Sequence, residues 1–449
     1  MSTVLLNAWT MALVLLTPPT DVDRALRDAP TVPLDSRVDA SRMTRLAPPG
    51  VPDRLTPPPP IMRRIAENSG DVPIAPATFD AARASIRRGL AYLRGSQSAS
   101  GGWMEGTPAQ GSEAPKISKA ASSAVTGLVI RAFAQAGLLE GNDPAVARGV
   151  AWLVKACWSA DGFEPDASGG LATYVASCTA LGLASLDSVT HAERLREVIA
   201  WLRRAQWDQG EGLGPEQDWF GGVGYGSRGR PDLSNTQMML EALHESGAKA
   251  EDPAVQRALA FVARCQNVRS EGAAPWANTG SADGGFVYTV ANGGESFASE
   301  AAGEGRFGEK MPEGTRALRS YGSMTYAGYK SMLFAGLRRD DPRVLAALDW
   351  ARAHWSMQEN PGLGKQGLFY YRLALARALA ASGRDIMQDT GGTPHEWRKE
   401  LVEALVAAQR PDGSWINDQD RWMEGEPDLV TAYALLALEE AIKPSRQSQ

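Results

Sequence analysis

The acids best placed to do chemistry sit in short stretches rich in glycine and aromatic residues. Asp232 opens "DLSNT", and Glu424 and Asp428 belong to "NDQDRWMEGEPD". Small residues at helical spacing follow each stretch, which sets every one of these carboxylates at or near a helix start. A carboxylate there can act as a general acid or base on a bound ligand. It can equally cap first-turn amides, which the helix dipole favours whatever the function. Aromatic residues gather near the same acids. Trp219 and Tyr225 lie in "WDQGEGLGPEQDWFGGVGYGSRGRPD", Asp283 and Tyr288 in "SADGGFVYTVANGGES", and Trp422 beside Glu424, while Tyr321, Tyr326, Tyr370 and Tyr371 sit at the starts of two later helices. That mixture fits a polar-rimmed pocket with stacking surfaces. Asp232, Glu424 and Asp428 are its candidate catalytic residues, and Trp219, Tyr225, Asp283, Tyr288, Tyr321, Tyr326, Tyr370, Tyr371 and Trp422 its candidate binding residues.

Aromatic walls can enclose an isoprenoid or other lipid and stabilise positive charge. Aromatic residues with paired carboxylates also suit sugar rings and the acid/base chemistry of a lyase or glycosidase. A ring filled by its own side chains would be a non-catalytic scaffold at a cell envelope. These three readings remain open on the sequence. The loop from about residue 267 to 320 is longer than compact domains tolerate without a purpose, which favours a small-molecule or lipid ligand as the partner.

Other chemistries find little support. Cys157, Cys178 and Cys265 form no CxxC pair, and His191, His244, His354 and His395 have no ligand-like spacing, so neither a metal nor a cofactor is expected. "GGVGYG" at 221–226 lacks the preceding strand and following Lys-Ser/Thr of a nucleotide loop. A net charge of −6 over 449 residues argues against nucleic acid. The oligomeric state is not legible.

Residues 1–16 contain an apolar run, "VLLNAWTMALVLL", the right length for a signal-peptide core and short for a membrane span. Export to the periplasm or envelope, with membrane association through this segment, is the expectation. No Lys or Arg precedes the run, so a cytoplasmic chain with a mis-assigned start is the rival. Residues 17–75 read as an extended tether, because proline lacks the amide donor and biases its predecessor away from the helix. Residues 76–449 form the folded domain.

What positions the candidate residues is a repeat. Six amphipathic helices carry copies of one pattern, an aromatic–aliphatic pair with Gln five residues after the aromatic, complete in Tyr92-Leu93…Gln97, Trp201-Leu202…Gln206 and Phe261-Val262…Gln266. Copies at Trp152 and Trp350 are weaker, and the last keeps Gln409 with Ala404 at the aromatic position. Between them run six helices richer in Ala, Gly, Ser and Thr, five with a Thr near the start: Thr126, Thr179, Thr236, Thr325 and Thr431. Asp-Pro pairs at 143, 252 and 341 open helices of the first kind. Gly137, Gly247 and Gly383 are placed as left-handed C-caps. No run reads as a strand. Small-residue helices can pack side by side while amphipathic helices cover them. Six such hairpins predict an all-α fold, an α/α toroid with inner and outer rings of six helices.

The stretch Arg88-Gly89-x-x-Tyr92-Leu93-x-x-x-Gln97-x-x-x-Gly101-x-Trp103 resembles the QW repeat of squalene and hopene cyclases, and Gln409, Gly413 and Trp415 match its core. The resemblance spans roughly residues 78 to 443. That superfamily, which includes protein prenyltransferase β subunits, implies an α/α toroid whose QW motif links one repeat to the next. Its chemistry does not carry over. The cyclase motif D-x-D-D finds only Asp232-Leu233-Ser234-Asn235 here, and a serine hydroxyl is too weak an acid to protonate an alkene. The prenyltransferase zinc site is implied to need an Asp two residues before Cys178, where Ala176 stands.

Overall fold

The computed structural model describes residues 74–105, 117–136, 143–165, 170–186, 188–269, 275–279, 281–298 and 318–443. Twelve long helices alternate along them. The outer set is α1 (Pro76–Ser96), α3 (Pro144–Cys157), α5 (Ser188–Ala205), α7 (Pro253–Arg264), α10 (Pro342–Ala353) and α12 (Trp397–Ala408). The inner set is α2 (Lys119–Gln135), α4 (Ala172–Ala184), α6 (Leu233–Glu245), α9 (Gly322–Phe334), α11 (Leu368–Ser382) and α13 (Pro427–Ile442), with a short helix, α8 (Pro275–Thr279), in the long loop. Each inner helix touches the next, and α13 returns to α2 while α12 meets α1. The chain is an α/α toroid, closed on itself. The possible leader and the tether lie outside the described residues, save the last two tether positions.

Local chemistry explains the boundaries. Asp143, Asp252 and Asp341 each accept a hydrogen bond at 2.9 Å from the amide two residues on, with Pro at the first helical position. Gly383 ends α11 in left-handed geometry at φ 63°, and Gly247 follows α6 at φ 89°; Gly137 lies outside the described residues. Strands were not expected, yet two short hairpins occur. β1 (Trp158–Ser159) pairs with β2 (Gly162–Phe163), and β3 (Ile386–Gln388) with β4 (Pro394–Glu396). Strands of two and three residues are too short for alternation to reveal them.

The repeated Gln and Gly build the joints of the outer ring. Gln97 Nε2 donates to Gly101 O and to Ala145 O, both at 2.8 Å. Gln206 joins Gly221 to Ala254 in the same way, and Gln266 joins Gly284 to Arg343. Every one of these glycines has positive φ, and an added Cβ would strike a backbone carbonyl of the next outer helix: Arg148 for Gly101, Arg257 for Gly221, Ala346 for Gly284. Trp103 and Trp415, both fully buried, donate their indole N–H to Leu93 O and Leu405 O, carbonyls the helix ends leave unpaired. Thr126, Thr236, Thr325 and Thr431 accept from backbone amides of the same turns at 3.1 Å, locking inner helix to joint. Thr179, the fifth of that series, makes no such bond.

Inside, close approach needs small residues. A Cβ on Gly127 would meet the Cys178 carbonyl at 2.7 Å, and one on Gly182 would meet Gly127 O at 2.7 Å, so α2 and α4 touch backbone to backbone. Lower on the axis, Glu241 of α6 takes a hydrogen bond from Arg131 at 2.8 Å and from Lys330 and Arg377, all four side chains buried. Three cations answer one carboxylate here because the inner helices present their negative C-terminal halves to this level.

Candidate functional site

The first turns of the inner helices enclose a cavity of about 190 Å³ at the opposite end of the axis from the ionic layer. Ala121, Ala124 and Val125 of α2, Met324 of α9 and Leu429 of α13 give it apolar walls. Six tyrosines ring it: Tyr174, Tyr225, Tyr288, Tyr321, Tyr370 and Tyr433. Phe297, Trp422 and Met423 complete the rim. Trp422 lies 5.4 Å from Phe297, and the Arg421 guanidinium covers both rings at 4.4 and 5.0 Å. Trp422 and Met423 both adopt left-handed backbone, φ 58° and 65°, a conformation non-glycine residues hold only when their surroundings enforce it.

Glu424 enforces it. Its Oε1 accepts the Tyr370 amide at 2.8 Å, and its Oε2 accepts the Phe369 amide at 3.2 Å and Asn417 Nδ2 at 2.6 Å. Helix α11 starts from Gly367, which has no side chain to cap it, and the last loop supplies the cap instead. Burial raises the Glu424 carboxyl above the ordinary glutamate range, against the pull of those donors. Asp232 is the N-cap of α6, its two oxygens 2.8 Å from Asn235 N and Asn235 Nδ2. Burial raises it to about 7, opposed by Asn235 and by the Tyr288 hydroxyl. It stands behind Tyr225 and Tyr288 and does not itself line the cavity. Asp428 accepts the Met104 amide at 2.9 Å and also stays off the wall.

The tyrosine hydroxyls bond to one another. Tyr174 and Tyr433 share one hydrogen bond at 2.8 Å across the ring. Tyr370 bonds Ser234 Oγ at 3.1 Å and accepts from Gln237 Nε2 at 3.0 Å. Burial raises all six of these phenols above their usual value, Tyr174, Tyr288, Tyr321 and Tyr433 the furthest, so they remain donors at neutral pH. Ser234, at the third position of the degenerate acid motif, is part of the cavity wall.

Of the residues expected in a pocket, the fold brings Tyr225, Tyr288, Tyr321, Tyr370, Trp422 and Glu424 together. Tyr326 and Tyr371 lie elsewhere, edge to face at 5.7 Å between α9 and α11, with the Tyr371 hydroxyl donating to Ser356 O. Trp219 stacks edge-on with Trp207 and donates to Asn292 Oδ1, away from the cavity. Asp283 organises its own turn, accepting from Ser281, Ser320 and Gly285. Tyr174, Tyr433, Phe297, Ser323 and the methionines are the lining residues that loop-centred reasoning missed. Tyr174 lies in the first turn and Tyr433 in the second turn of alanine-rich helices, and that contrast is visible in the sequence.

No protein-family model matches the chain, and no curated protein matches it by sequence. Solved structures do. A family 76 glycoside hydrolase (a mannosidase) from Bacteroides thetaiotaomicron aligns with TM-score 0.51 at 10% identity, over 80% of this chain and 98% of that one. A D-mannose isomerase aligns with TM-score 0.50 at 12% identity, over 82% and 99%. A type II terpene cyclase from Scytonema, solved with geranylgeranyl dihydroxybenzoate, aligns at 15% identity over 82% and 98%, with TM-score 0.34. At such identities the first two likenesses speak for the α/α-toroid fold alone, and the third carries no argument.

Proposed function

We propose that this chain is a squalene-cyclase- and prenyltransferase-like toroid, built on QW-type joints, that binds an isoprenoid or other lipid at the N-terminal ends of its inner helices. The observation that carries this reading is the cavity wall itself: alanine, valine, leucine and methionine below, eight aromatic rings around. Such a wall gains from excluding water along an apolar ligand. Its volume of about 190 Å³ exceeds the roughly 150 Å³ that admits benzene in a dry protein cavity. A small ring system or the end of a prenyl chain fits. Alkene protonation by an Asp triad motif is not part of the proposal, since Ser234 and Asn235 occupy the positions of its last two acids.

A glycosidase or lyase would need two carboxylates facing each other across a polar groove. Among the described residues Glu424 is the one carboxylate that lines this cavity, and both its oxygens are engaged in capping. The test is native mass spectrometry of the full chain, followed by solvent extraction of what co-purifies. A polyprenyl or hopanoid-like lipid is the expected finding. An empty protein that gains mass only with oligosaccharides would overturn the reading.

A further inference from the structure

Counting protons in the hydroxyl network narrows the ligand, on the footing of the apolar-ligand reading above. Tyr174 and Tyr433 own two O–H groups and share one hydrogen bond. Whichever donates, the other keeps a proton with no partner in the pair. Tyr370 and Ser234 repeat the arrangement. Gln237 donates to Tyr370 and occupies one of its lone pairs, and the bond between the two hydroxyls uses one of their two protons. The Tyr370–Ser234 set therefore holds one uncommitted O–H donor on the cavity wall, whereas the spare proton of the Tyr174–Tyr433 pair can go to the Cys178 thiol, which the Tyr174 hydroxyl also meets. A donor facing an apolar space without a partner is costly.

Charge narrows the ligand further. Among the described lining residues there is no Lys, Arg or His, and the one carboxylate is Glu424. The first-turn amides of α6 and α11, which could have drawn an anion, are already taken by Asp232 and Glu424. Among the described lining residues a diphosphate or carboxylate headgroup would find no counter-charge and a negative neighbour; the nearby Arg421 guanidinium covers the outer rings, Trp422 and Phe297.

We propose that the cavity is built for a neutral, oxygen-bearing apolar molecule, a ketone, aldehyde, ether or alcohol on an isoprenoid-like skeleton, whose oxygen accepts a hydrogen bond from the Tyr370–Ser234 set.

The experiment compares matched pairs on the full chain by titration calorimetry or tryptophan fluorescence: camphor against bornane, and farnesal against farnesene. The oxygenated member should bind about tenfold more tightly, the worth of one good hydrogen bond. Ser234→Ala with Tyr370→Phe should remove most of the preference, and Tyr174→Phe with Tyr433→Phe should change it less. Equal affinity within each pair on the unaltered protein overturns the inference and leaves the apolar-ligand reading standing, whether or not the multiple variants fold. Farnesoic acid binding more tightly than farnesal at pH 8 would overturn the requirement for neutrality. If neither member of any pair binds, the apolar-ligand reading falls with it.

Discussion

Gln409 donates from Nε2 to the backbone oxygen of Ser85 at 3.0 Å across 324 positions of sequence, while the same nitrogen reaches Gly413 O at 2.9 Å. This is the bond that shuts the outer ring, and its geometry repeats the joints at Gln97, Gln206 and Gln266. The Ser85 hydroxyl answers by donating to Gln409 Oε1 at 2.8 Å. Gln409→Ala removes a partner of two carbonyls, the Ser85 hydroxyl and the Arg88 guanidinium, and each group left buried without a partner costs about 1–3 kcal/mol. A lower urea midpoint with an unchanged slope is expected, together with faster amide exchange in α1 than in α6. Uniform exchange across the ring would show that closure does not depend on this joint.

Gly221 is the most crowded of the joint glycines. Its φ is 85°, and an added Cβ would sit 1.8 Å from Arg257 O. Gly212 has a similar φ of 76° with nothing within 4 Å. Gly221→Ala should therefore prevent stable folding, while Gly212→Ala should cost only the left-handed backbone penalty of about 1–2 kcal/mol. Expression and urea melts of the pair separate close approach from backbone strain. Equal losses would mean that strain alone explains both.

The ring was legible because its joints repeat: a Gln at the helix end, a Gly to turn under the next helix, a Thr to receive the turn's amide. Two joints were only half visible. Gln206 and Gln266 reach glycines 15 and 18 residues on, where the first and last copies need only four, so inserted loops hid the spacing. The cavity was legible in kind and less so in membership. Tyrosines beside a helix start can face the axis or the neighbouring helix, and one residue of helical rotation decides. Tyr370 faces the ring centre and Tyr371 faces α9. Carboxylates at helix starts were ambiguous for a plainer reason: capping and catalysis call for the same residue at the same place.

Glu241 holds three buried cations through its two oxygens. The cations hold its carboxyl well below the usual glutamate range despite burial. Removing it would leave Lys330 and Arg377 without their hydrogen-bond partner and Arg131 with only Glu245, 3.6 Å away, and breaking a buried pair costs about 3–5 kcal/mol. Glu241→Gln should lower stability by at least that range, and Glu241→Gln with Lys330→Met should recover part of the loss. A denaturant series on the two variants checks this. No recovery in the double variant would mean that Lys330 is satisfied by other groups.

Asp232 gives stability a pH dependence opposite to that of a salt-bridged carboxylate. Burial raises it from 3.8 to about 7, so the folded chain holds this proton more tightly than the unfolded chain does. Its contribution is complete below about pH 4 and is lost as pH rises through about 7. Asn is as good an N-cap as Asp, and Asp232→Asn would keep an oxygen for the Asn235 amide. The neighbouring Asn235 side chain can accept the new amide by turning over, since its Oδ1 has no hydrogen-bond partner. The variant should therefore be close to neutral at pH 5 and more stable than the unaltered chain at pH 8. Glu424 and Glu439 are raised by burial too and stay in both proteins, so the informative quantity is the difference between the two pH profiles. Urea midpoints at pH 5 and 8 measure it. If the variant is weaker by the same amount at both, Asp232 works as an ionised cap throughout, and its proton is not held by the fold.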